Sequence, residues 1–483
     1  LSALYMGTGE HEKKIISAIK TALNDSKRPN LKVAFIFDHS RSLRNGSSSV
    51  KMFSEVIDHY HPRIQVYLYQ LPQIRGHLAT FIPYKFRELL GVYHCKFAIF
   101  DSNVLLTGAN LSCEYFTSRQ DRYFLLKPFS AIEHENITST QDIAVFSTGG
   151  TAVGAGEQPG MAPFMRAFFD IVKTDCHTLQ PGGNVQPPKS LHCLAARKEM
   201  RKDLLALSAQ FPSPQSAAEG GAPATAVHPL VQHAALGITQ ESDALSSLWS
   251  WPNIVLPGST VSIATPYSNF RLGFLESLLR GAASSRSCVQ LTLPTTQAHG
   301  FGSATGLLSF LPALHHYALF TPLARIVSSY AAQDRPNVAV RYFTRSGWTY
   351  HSKGLWMFPP SNEDREVGST AGGSLPTSGD SSSAVVTYLG SSNFGERSWS
   401  RDFELGFVLV THEASLQQLL RREHDRLQQH CGTVVSVGTG KDADTLPAAE
   451  MTAQALPAAV LAQHSPFQRT IINATARLLK SIL

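Results

Sequence analysis

The stretch GVYHCKFAIFD, residues 91–101, places His94 and Lys96 two positions apart in a run of aromatic and aliphatic residues. A run of this composition predicts a β-strand, and residues two apart in a strand lie on the same face. The two side chains are therefore expected to reach one surface together. An isolated pair of this kind most often lies on a solvated strand face, so the pair by itself indicates no function.

The same pattern returns in YHSKGLWMF, which contains His351 and Lys353. Each pair is followed by a turn that ends in asparagine, Asn110 in GAN and Asn393 in GSSN. The interval from lysine to asparagine is 14 residues in the first copy and 40 in the second. The Gly- and Ser-rich insertion at 359–383 accounts for the difference, so the two copies align once it is removed.

A carboxylate also recurs, eleven residues beyond each asparagine: Asp121 in the first copy and Glu404 in the second. Either carboxylate could hydrogen-bond a histidine ring and fix its tautomer, and the sequence leaves open which carboxylate serves which histidine. The alternative is a salt bridge with a neighbouring arginine, Arg119, Arg122 or Arg401.

The order of predicted strands and helices repeats as well, once in residues 1–130 and again after residue 250. The repeat predicts an α/β fold of two similar units, each a mixed β-sheet flanked by helices, joined pseudo-symmetrically around one active site. The predicted organisation is an N-terminal unit at 1–180, a helical and low-complexity connector at 181–250, a C-terminal unit at 251–435, and a loose segment with a C-terminal amphipathic helix at 436–483.

The composition is that of a globular protein, with 43% hydrophobic and 16% charged residues in a chain of 483. A net charge of +6 fits phosphate-bearing ligands or an anionic membrane surface and is too small to indicate nucleic acid. Six cysteines without a C-x-x-C pair predict neither a zinc module nor a disulfide framework. The apolar segment 307–327 and the C-terminal amphipathic stretch are candidate membrane contacts, with packed helices as the favoured alternative.

These motifs resemble those of the phospholipase D superfamily, whose signature is H-x-K-x4-D followed by a G-[ST]-x-N turn, present twice in each active site. Asp101 completes the first copy, whereas Phe358 stands at that position in the second. The resemblance implies that His94 attacks phosphorus to form a phosphohistidine, that His351 acts as acid and base, and that no metal is required. The predicted catalytic set is His94, Lys96, Asp101, Asn110, Asp121, His351, Lys353, Asn393 and Glu404.

Two longer stretches, NLSCEYFTSRQDRY (110–123) and GWTYHSKGLW (347–356), are similar to the eukaryotic mitochondrial CDP-diacylglycerol–glycerol-3-phosphate 3-phosphatidyltransferases. That resemblance implies transfer of a phosphatidyl group from CDP-diacylglycerol to glycerol 3-phosphate with release of CMP, in phosphatidylglycerol and cardiolipin synthesis. It implies a peripheral position on the inner mitochondrial membrane and no required cofactor, although a divalent cation could stimulate the reaction by coordinating the diphosphate.

Polar residues near the two turns are predicted to bind the substrate phosphates, with a solvated or structural role about equally expected. They are Arg119, Arg122, Arg397, Arg401 and Ser391. Tyr115, Tyr123 and Trp399 could line the crevice, although aromatic residues at such spacing more often belong to the core. Three rival functions remain: a hydrolytic phospholipase D or nuclease, a cardiolipin or phosphatidylserine synthase, and a non-catalytic module that binds anionic lipid.

Overall fold

The computed structural model describes residues 1–44, 49–75, 81–127, 143–147, 160–211, 225–251, 255–303, 309–360, 383–437, 468–470 and 472. The strands of the first half are β1 Val33–Asp38, β2 Ile64–Tyr69, β3 Phe97–Phe100, β4 Asn103–Thr107, β5 Arg119–Gln120, β6 Tyr123–Lys127, β7 Ile143–Ser147, β8 Cys176–Leu179 and β9 Val185–Gln186. Its helices are Glu10–Asn24, His39–Ser42, Ser49–Tyr60, Tyr84–Arg87, Cys113–Thr117, Met161–Lys173 and Leu194–Ser208.

The strands of the second half are β10 Thr225–His233, β11 Ile238–Thr239, β12 Thr260–Ala264, β13 Cys288–Pro294, β14 Asn337–Phe343, β15 Thr349–Tyr350, β16 Gly354–Phe358, β17 Val385–Gly390, β18 Phe403–Thr411 and β19 Cys431–Val437. Its helices are Gln240–Ser247, Leu272–Ser285, Leu311–Ser328, Glu396–Ser400 and Ala414–Gln428.

The two halves share one order of strands. The second half forms a sheet in the order β11-β10-β18-β17-β16-β12-β13-β14-β19. The first half contains the runs β3-β4-β6-β7 and β1-β2-β8-β9, which the N-terminal segment joins because Ser2 bridges to Phe97 of β3 and to Ile36 of β1. That segment takes the place of β12, so the predicted duplication and mixed α/β fold are confirmed.

The region predicted as a connector, 181–250, contains strands that belong to the sheets. β9 pairs with β8 in the first half, and β10 runs antiparallel to β18 in the second. The sequence around Pro229 does not predict a central β-strand, because proline has no N–H to donate to a neighbouring strand. In the structure β11 pairs only with the end of β10, at Gln232 and His233, so Pro229 lies where β10 is an edge.

The two units pack against each other through a shared aromatic core. Phe403 of β18 contacts the rings of Tyr69 and Tyr93 from the first half, with centroid distances of 5.4 Å in both cases, and that of Phe168 at 5.8 Å. Each of these rings is buried, and burial of one such side chain stabilises the fold by about 1.5–3 kcal/mol. This core fixes how the second unit sits on the first and therefore how the two histidine motifs approach each other.

The helix Leu311–Ser328, which covers most of the apolar segment 307–327, is packed inside the protein. Twelve of its 18 residues are buried, and they include Leu319 and Phe320, which belong to the core of the second unit. This burial favours the packed-helix alternative for residues 311–328, and the membrane contact of this segment stays a prediction. The C-terminal amphipathic stretch lies outside the described residues except for 468–470 and 472. No helix in the described ranges has the length and apolar character needed to cross a bilayer.

Candidate active site

The two H-x-K motifs lie in extended segments directly before β3 and β16, and each is hydrogen-bonded to the opposite unit. The backbone N–H of His94 donates to the carbonyl of Phe403 at 2.8 Å, and that of His351 donates to the carbonyl of Gln120 at 2.8 Å. Phe403 and Gln120 are the residues immediately before Glu404 and Asp121. Each motif is thus anchored beside the carboxylate of the other unit.

The carboxylates pair with the histidines crosswise. Nδ1 of His94 lies 2.8 Å from Oε2 of Glu404, and Nδ1 of His351 lies 2.6 Å from Oδ2 of Asp121. All four side chains are buried. The structure thereby resolves the question that the sequence left open: each histidine is oriented by the carboxylate of the other repeat. An Nδ1–H that donates to a carboxylate leaves the lone pair on Nε2.

The two lysines take equivalent positions beneath the histidines. Nζ of Lys96 donates to the carbonyl of His94 at 2.8 Å, and Nζ of Lys353 donates to that of His351 at 2.8 Å. Burial lowers the pKa of Lys96 to about 7 and that of Lys353 to about 8. Burial raises the pKa of Glu404 to about 7, against the attraction of Lys96. The site is therefore a buried cluster of charges close to their ionisation points at neutral pH.

Both imidazoles are neutral near pH 7. Burial lowers the pKa of His94 well below its usual value, and the charge of Lys96 lowers it further. Burial and then Lys353 do the same for His351. A neutral imidazole retains a lone pair with which it can attack phosphorus or accept a proton.

Nε2 of the two histidines meets different surroundings. The hydroxyl of Tyr115 lies 3.3 Å from Nε2 of His351, and Nδ2 of Asn110 donates to that hydroxyl at 3.1 Å. Ser398 stands five residues past Asn393, as Tyr115 stands five past Asn110, but its hydroxyl accepts from the backbone N–H of Asn393 at 3.2 Å. In the described part of the chain, no side chain hydrogen-bonds Nε2 of His94.

The Nδ1 side differs as well. Nζ of Lys353 lies 2.6 Å from Nδ1 and 3.3 Å from Nε2 of His351, so the ammonium is close to both ring nitrogens, while Oδ2 of Asp121 lies 2.6 Å from Nδ1. Gly108 makes room for this arrangement, because a Cβ there would lie 2.7 Å from Oδ1 of Asp121 and 3.2 Å from Nζ of Lys353. Its counterpart Ser391 instead donates its hydroxyl to Oε2 of Glu404.

Two of the four predicted phosphate-binding arginines flank the histidines. Arg119 lies over the ring of Tyr115 with its Cζ 4.8 Å from the centroid, and its charge contributes to lowering the pKa of His351. Arg397 donates to Asp402 at 3.2 Å, and its charge acts on His94. Both charges also act on the phenol of Tyr267, whose pKa burial raises, so Tyr267 lies within electrostatic reach of both arginines.

Arg122 and Ser391 have structural partners in place of substrate. The buried guanidinium of Arg122 makes a bidentate pair with Glu423, with Nε at 2.7 Å and Nη2 at 3.0 Å, and also donates to the carbonyl of Tyr388 at 2.8 Å. The hydroxyl of Ser391 is bonded to Glu404. Neither side chain is oriented to receive a phosphate.

The structure does not bring Asp101 or Arg401 to the histidines. Asp101 is exposed in the turn after β3, at the opposite end of that strand from His94, and has a positive φ of 53°. Arg401 donates to the carbonyl of Leu89 at 3.1 Å on the protein surface. Phe358, which replaces the second aspartate, is buried at the end of β16.

The two asparagines, Asn110 and Asn393, also differ in their hydrogen-bond partners. Asn110 accepts from the N–H of Leu4 at 3.3 Å while its amide donates to Tyr115. Oδ1 of Asn393 is buried and has no hydrogen-bond partner among the described residues. No group of three or more His, Cys, Asp or Glu that could hold a metal ion occurs within those residues.

Comparison with known proteins gives one consistent picture. The chain is 31% identical over 448 residues to the mitochondrial CDP-diacylglycerol–glycerol-3-phosphate 3-phosphatidyltransferase of Mus musculus, across 90% of this chain and 74% of the relative. It is 29% identical to the Homo sapiens enzyme of that name, with the same coverage.

Among solved structures, the phosphatidylserine synthase of Haemophilus influenzae Rd KW20 matches with a TM-score of 0.60 and 18% identity, over 100% of this chain and 89% of the other. That match concerns the fold alone. No protein-family profile matches the sequence.

Proposed function

This chain belongs to the CDP-diacylglycerol–glycerol-3-phosphate 3-phosphatidyltransferase family, and we propose that it transfers the phosphatidyl group of CDP-diacylglycerol to glycerol 3-phosphate through a phosphohistidine. The products are phosphatidylglycerophosphate and CMP, on the route to phosphatidylglycerol and cardiolipin. The observation that carries the proposed mechanism is the crosswise pairing of His94 with Glu404 and of His351 with Asp121.

In the first step, Nε2 of His94 attacks the lipid-bearing phosphorus of CDP-diacylglycerol. The N–P bond forms as the bond from phosphorus to the CMP oxygen breaks. His351 enters this step as the imidazolium, which the negative charge of the bound diphosphate favours, and it becomes neutral when its Nε2 gives a proton to that oxygen. The assignment is supported by the Nδ1–H of His94 that donates to Glu404, because this tautomer presents the Nε2 lone pair. It is also supported by the lack of a hydrogen-bonding side chain at that Nε2 in the described part of the chain.

In the second step, Nε2 of His351 removes a proton from a hydroxyl of glycerol 3-phosphate. The hydroxyl oxygen attacks phosphorus, the N–P bond breaks, and His94 is restored. The environment of His351 supports a proton-transfer role, since the carboxylate of Asp121 accepts a hydrogen bond from Nδ1–H and stabilises the imidazolium that forms when Nε2 takes up a proton.

The buried lysines supply the positive potential that the developing charge at phosphorus requires. Lys96 and Lys353 both have lowered pKa values, and a bound diphosphate dianion would favour their charged forms. We further propose that Arg119 and Arg397 hold the phosphates of donor or acceptor. The chemistry needs no cofactor, and a divalent cation could still stimulate it by coordinating the diphosphate.

We place this activity at the mitochondrial inner membrane, with the enzyme bound peripherally to an anionic surface and without nucleic acid as a partner. Support comes from the mitochondrial designation of the relatives and from the lipid nature of the proposed donor.

A product assay tests the function. Purified protein is given labelled CDP-diacylglycerol with and without glycerol 3-phosphate, and lipid products are separated. Phosphatidylglycerophosphate that forms only when the acceptor is present supports the transferase. Phosphatidic acid as the sole lipid product under both conditions would show a hydrolase instead.

A further inference from the structure

Large apolar side chains are concentrated on the surface of one short segment, residues 81–90, which leads into the first histidine motif. Their exposed fractions are 84% for Phe81, 56% for Phe86, 42% for Leu89 and 37% for Leu90. Elsewhere in the described ranges such exposure occurs only singly, at Phe100, Leu194 and Phe301. Scattered apolar residues are normal on a protein surface, whereas a contiguous patch marks an interaction surface.

The segment 81–90 has an ordered backbone. Tyr84–Arg87 form a helical turn and Glu88–Leu90 continue it as a 3-10 turn. The guanidinium of Arg87 lies over the ring of Tyr84 at 4.4 Å, and its Nε donates to the carbonyl of Ile82 at 2.7 Å. The apolar side chains are therefore presented to solvent by a fixed element.

Short connections join this segment to the active site. Arg401 donates to the carbonyl of Leu89 at 3.1 Å, and the N–H of Val92 donates to Asp402 at 2.9 Å. Asp402 also pairs with Arg397, whose charge acts on His94. His94 is only four positions after Leu90, a span of at most about 14 Å for an extended chain. The patch thus lies at the rim of the site.

The rim of the patch carries net positive charge. Arg41 and Arg44 approach the same carboxylate, Glu88, with N–O distances of 3.9 and 3.6 Å. One carboxylate offsets only one of them, and Arg401 adds another positive charge beside Leu89. An apolar face with a basic border is the pattern that binds the interface of an anionic membrane. Two copies of this positively charged face would repel each other, which disfavours a dimer through it.

We propose that segment 81–90 docks into the headgroup region of an anionic phospholipid bilayer. The inference rests on the proposed function, because a diacyl donor must present its diphosphate to His94 while its acyl chains stay in an apolar phase. Interfacial segments of this kind enter the membrane by about 5–10 Å. Together with the short span to His94, this depth brings the histidine close to the level of the headgroup phosphates.

The test uses the double variant F86S/L89S, in the full-length protein, and vesicles of phosphatidylcholine with or without phosphatidylglycerol. Vesicle flotation measures binding. The kcat/KM is measured for CDP-diacylglycerol embedded in vesicles and for a short-chain, water-soluble CDP-diacylglycerol. F100S and L194S are matched controls, because they remove exposed apolar residues outside the segment.

We expect the double variant to lose vesicle binding and vesicle-substrate kcat/KM by roughly tenfold or more, since two large side chains leave the interface. Activity on the short-chain substrate should stay within about twofold of wild type, and both controls should behave as wild type. Wild-type flotation should require phosphatidylglycerol.

Three results would overturn the docking surface: unchanged flotation of the double variant, equal loss of activity on both substrates, or conversion of a dimer to a monomer with vesicle binding intact. Flotation needs no turnover. A wild-type protein that floats through this segment and yet makes no phosphatidylglycerophosphate would therefore reject the proposed reaction and still support the surface.

Discussion

His94 and His351 lie at equivalent places in two units with the same strand order, yet their ring nitrogens have different neighbours. His94 has one partner at Nδ1, Glu404, which Ser391 supports. His351 has Asp121 at Nδ1, the hydroxyl of Tyr115 at Nε2, and the ammonium of Lys353 within 3.3 Å of both nitrogens. The difference shows how a duplicated scaffold can give one histidine the environment of a nucleophile and the other that of a proton carrier.

The largest effects should follow removal of either imidazole. We expect His94→Ala and His351→Ala each to lower kcat by roughly two to four orders of magnitude, because each removes a group that takes part in bond making or proton transfer. Steady-state assays with glycerol 3-phosphate measure this loss, with folding checked by circular dichroism. Near-normal turnover by a folded variant of either residue would remove it from the mechanism.

The crosswise pairs can be broken one at a time. Glu404→Gln and Asp121→Asn are expected to lower kcat by roughly 10- to 100-fold, the scale at which partners that orient a functional histidine act. Glu404→Gln should slow the release of CMP measured in a single turnover without acceptor. Asp121→Asn should slow chiefly the later transfer to glycerol 3-phosphate. An inverted pattern would mean that the two histidines have exchanged roles.

The ionisation of the buried cluster predicts a narrow pH optimum. Glu404, with a pKa raised to about 7, gains a proton as pH falls below that value, and His94 then loses its carboxylate partner. Lys96 and Lys353, with pKa values lowered to about 7 and about 8, lose their protons as pH rises, and the positive potential declines. The kcat/KM should fall on both sides of an optimum near pH 7, by roughly tenfold per unit where one ionisation governs.

Glu404→Gln provides the matched control for this profile. It should abolish the acidic limb and keep the alkaline limb, because only the carboxylate has been removed. If the kcat/KM of the wild-type protein stayed constant between pH 6 and pH 9, the ionisation of Glu404 and the two lysines would not control the activity.

The smallest effects should come from the two hydroxyls that distinguish the halves. Tyr115→Phe removes the hydrogen bond to His351, and Ser391→Ala removes the one to Glu404. A single bond of about 0.5–1.5 kcal/mol corresponds to roughly a two- to thirteenfold lower rate. Tyr115→Phe should slow the steps in which His351 moves a proton, whereas Ser391→Ala should slow attack by His94. Pre-steady-state rates separate the two, and identical effects on both steps would show that the hydroxyls do not distinguish the histidines.

The sequence could predict the fold and the membership of the cluster because spacing is preserved wherever a strand and its turn recur. Equal spacing in the two copies is enough to identify His94 and His351 together with their lysines, asparagines and carboxylates, once the insertion in the second copy is removed. Their catalytic roles remain predictions. The crosswise pairing could not be predicted, since it depends on how Phe403 packs one unit on the other.

Arginines near the turns look alike in sequence and differ in the structure. Arg119 and Arg122 are three positions apart, so they leave an extended chain on opposite faces, one toward Tyr115 and one toward Glu423. Tyr115 lies five positions after Asn110, and Ser398 lies five positions after Asn393. This repeated offset is the sequence signal from which the contact of Tyr115 with His351 could have been suspected. The exposure of the apolar side chains in segment 81–90 could not be predicted from the sequence, because the same residues could equally be buried in a hydrophobic core.

The central claim is that His94 is the residue that carries the phosphatidyl group between donor and acceptor. Its most direct test incubates the His351→Gln variant with labelled CDP-diacylglycerol, without glycerol 3-phosphate, and maps the adduct by mass spectrometry under alkaline conditions that preserve phosphohistidine. The account predicts a phosphatidyl group on the peptide that contains His94, and none in the His94→Gln variant. An adduct on His351 in the wild-type protein, with His94 unmodified, would contradict it.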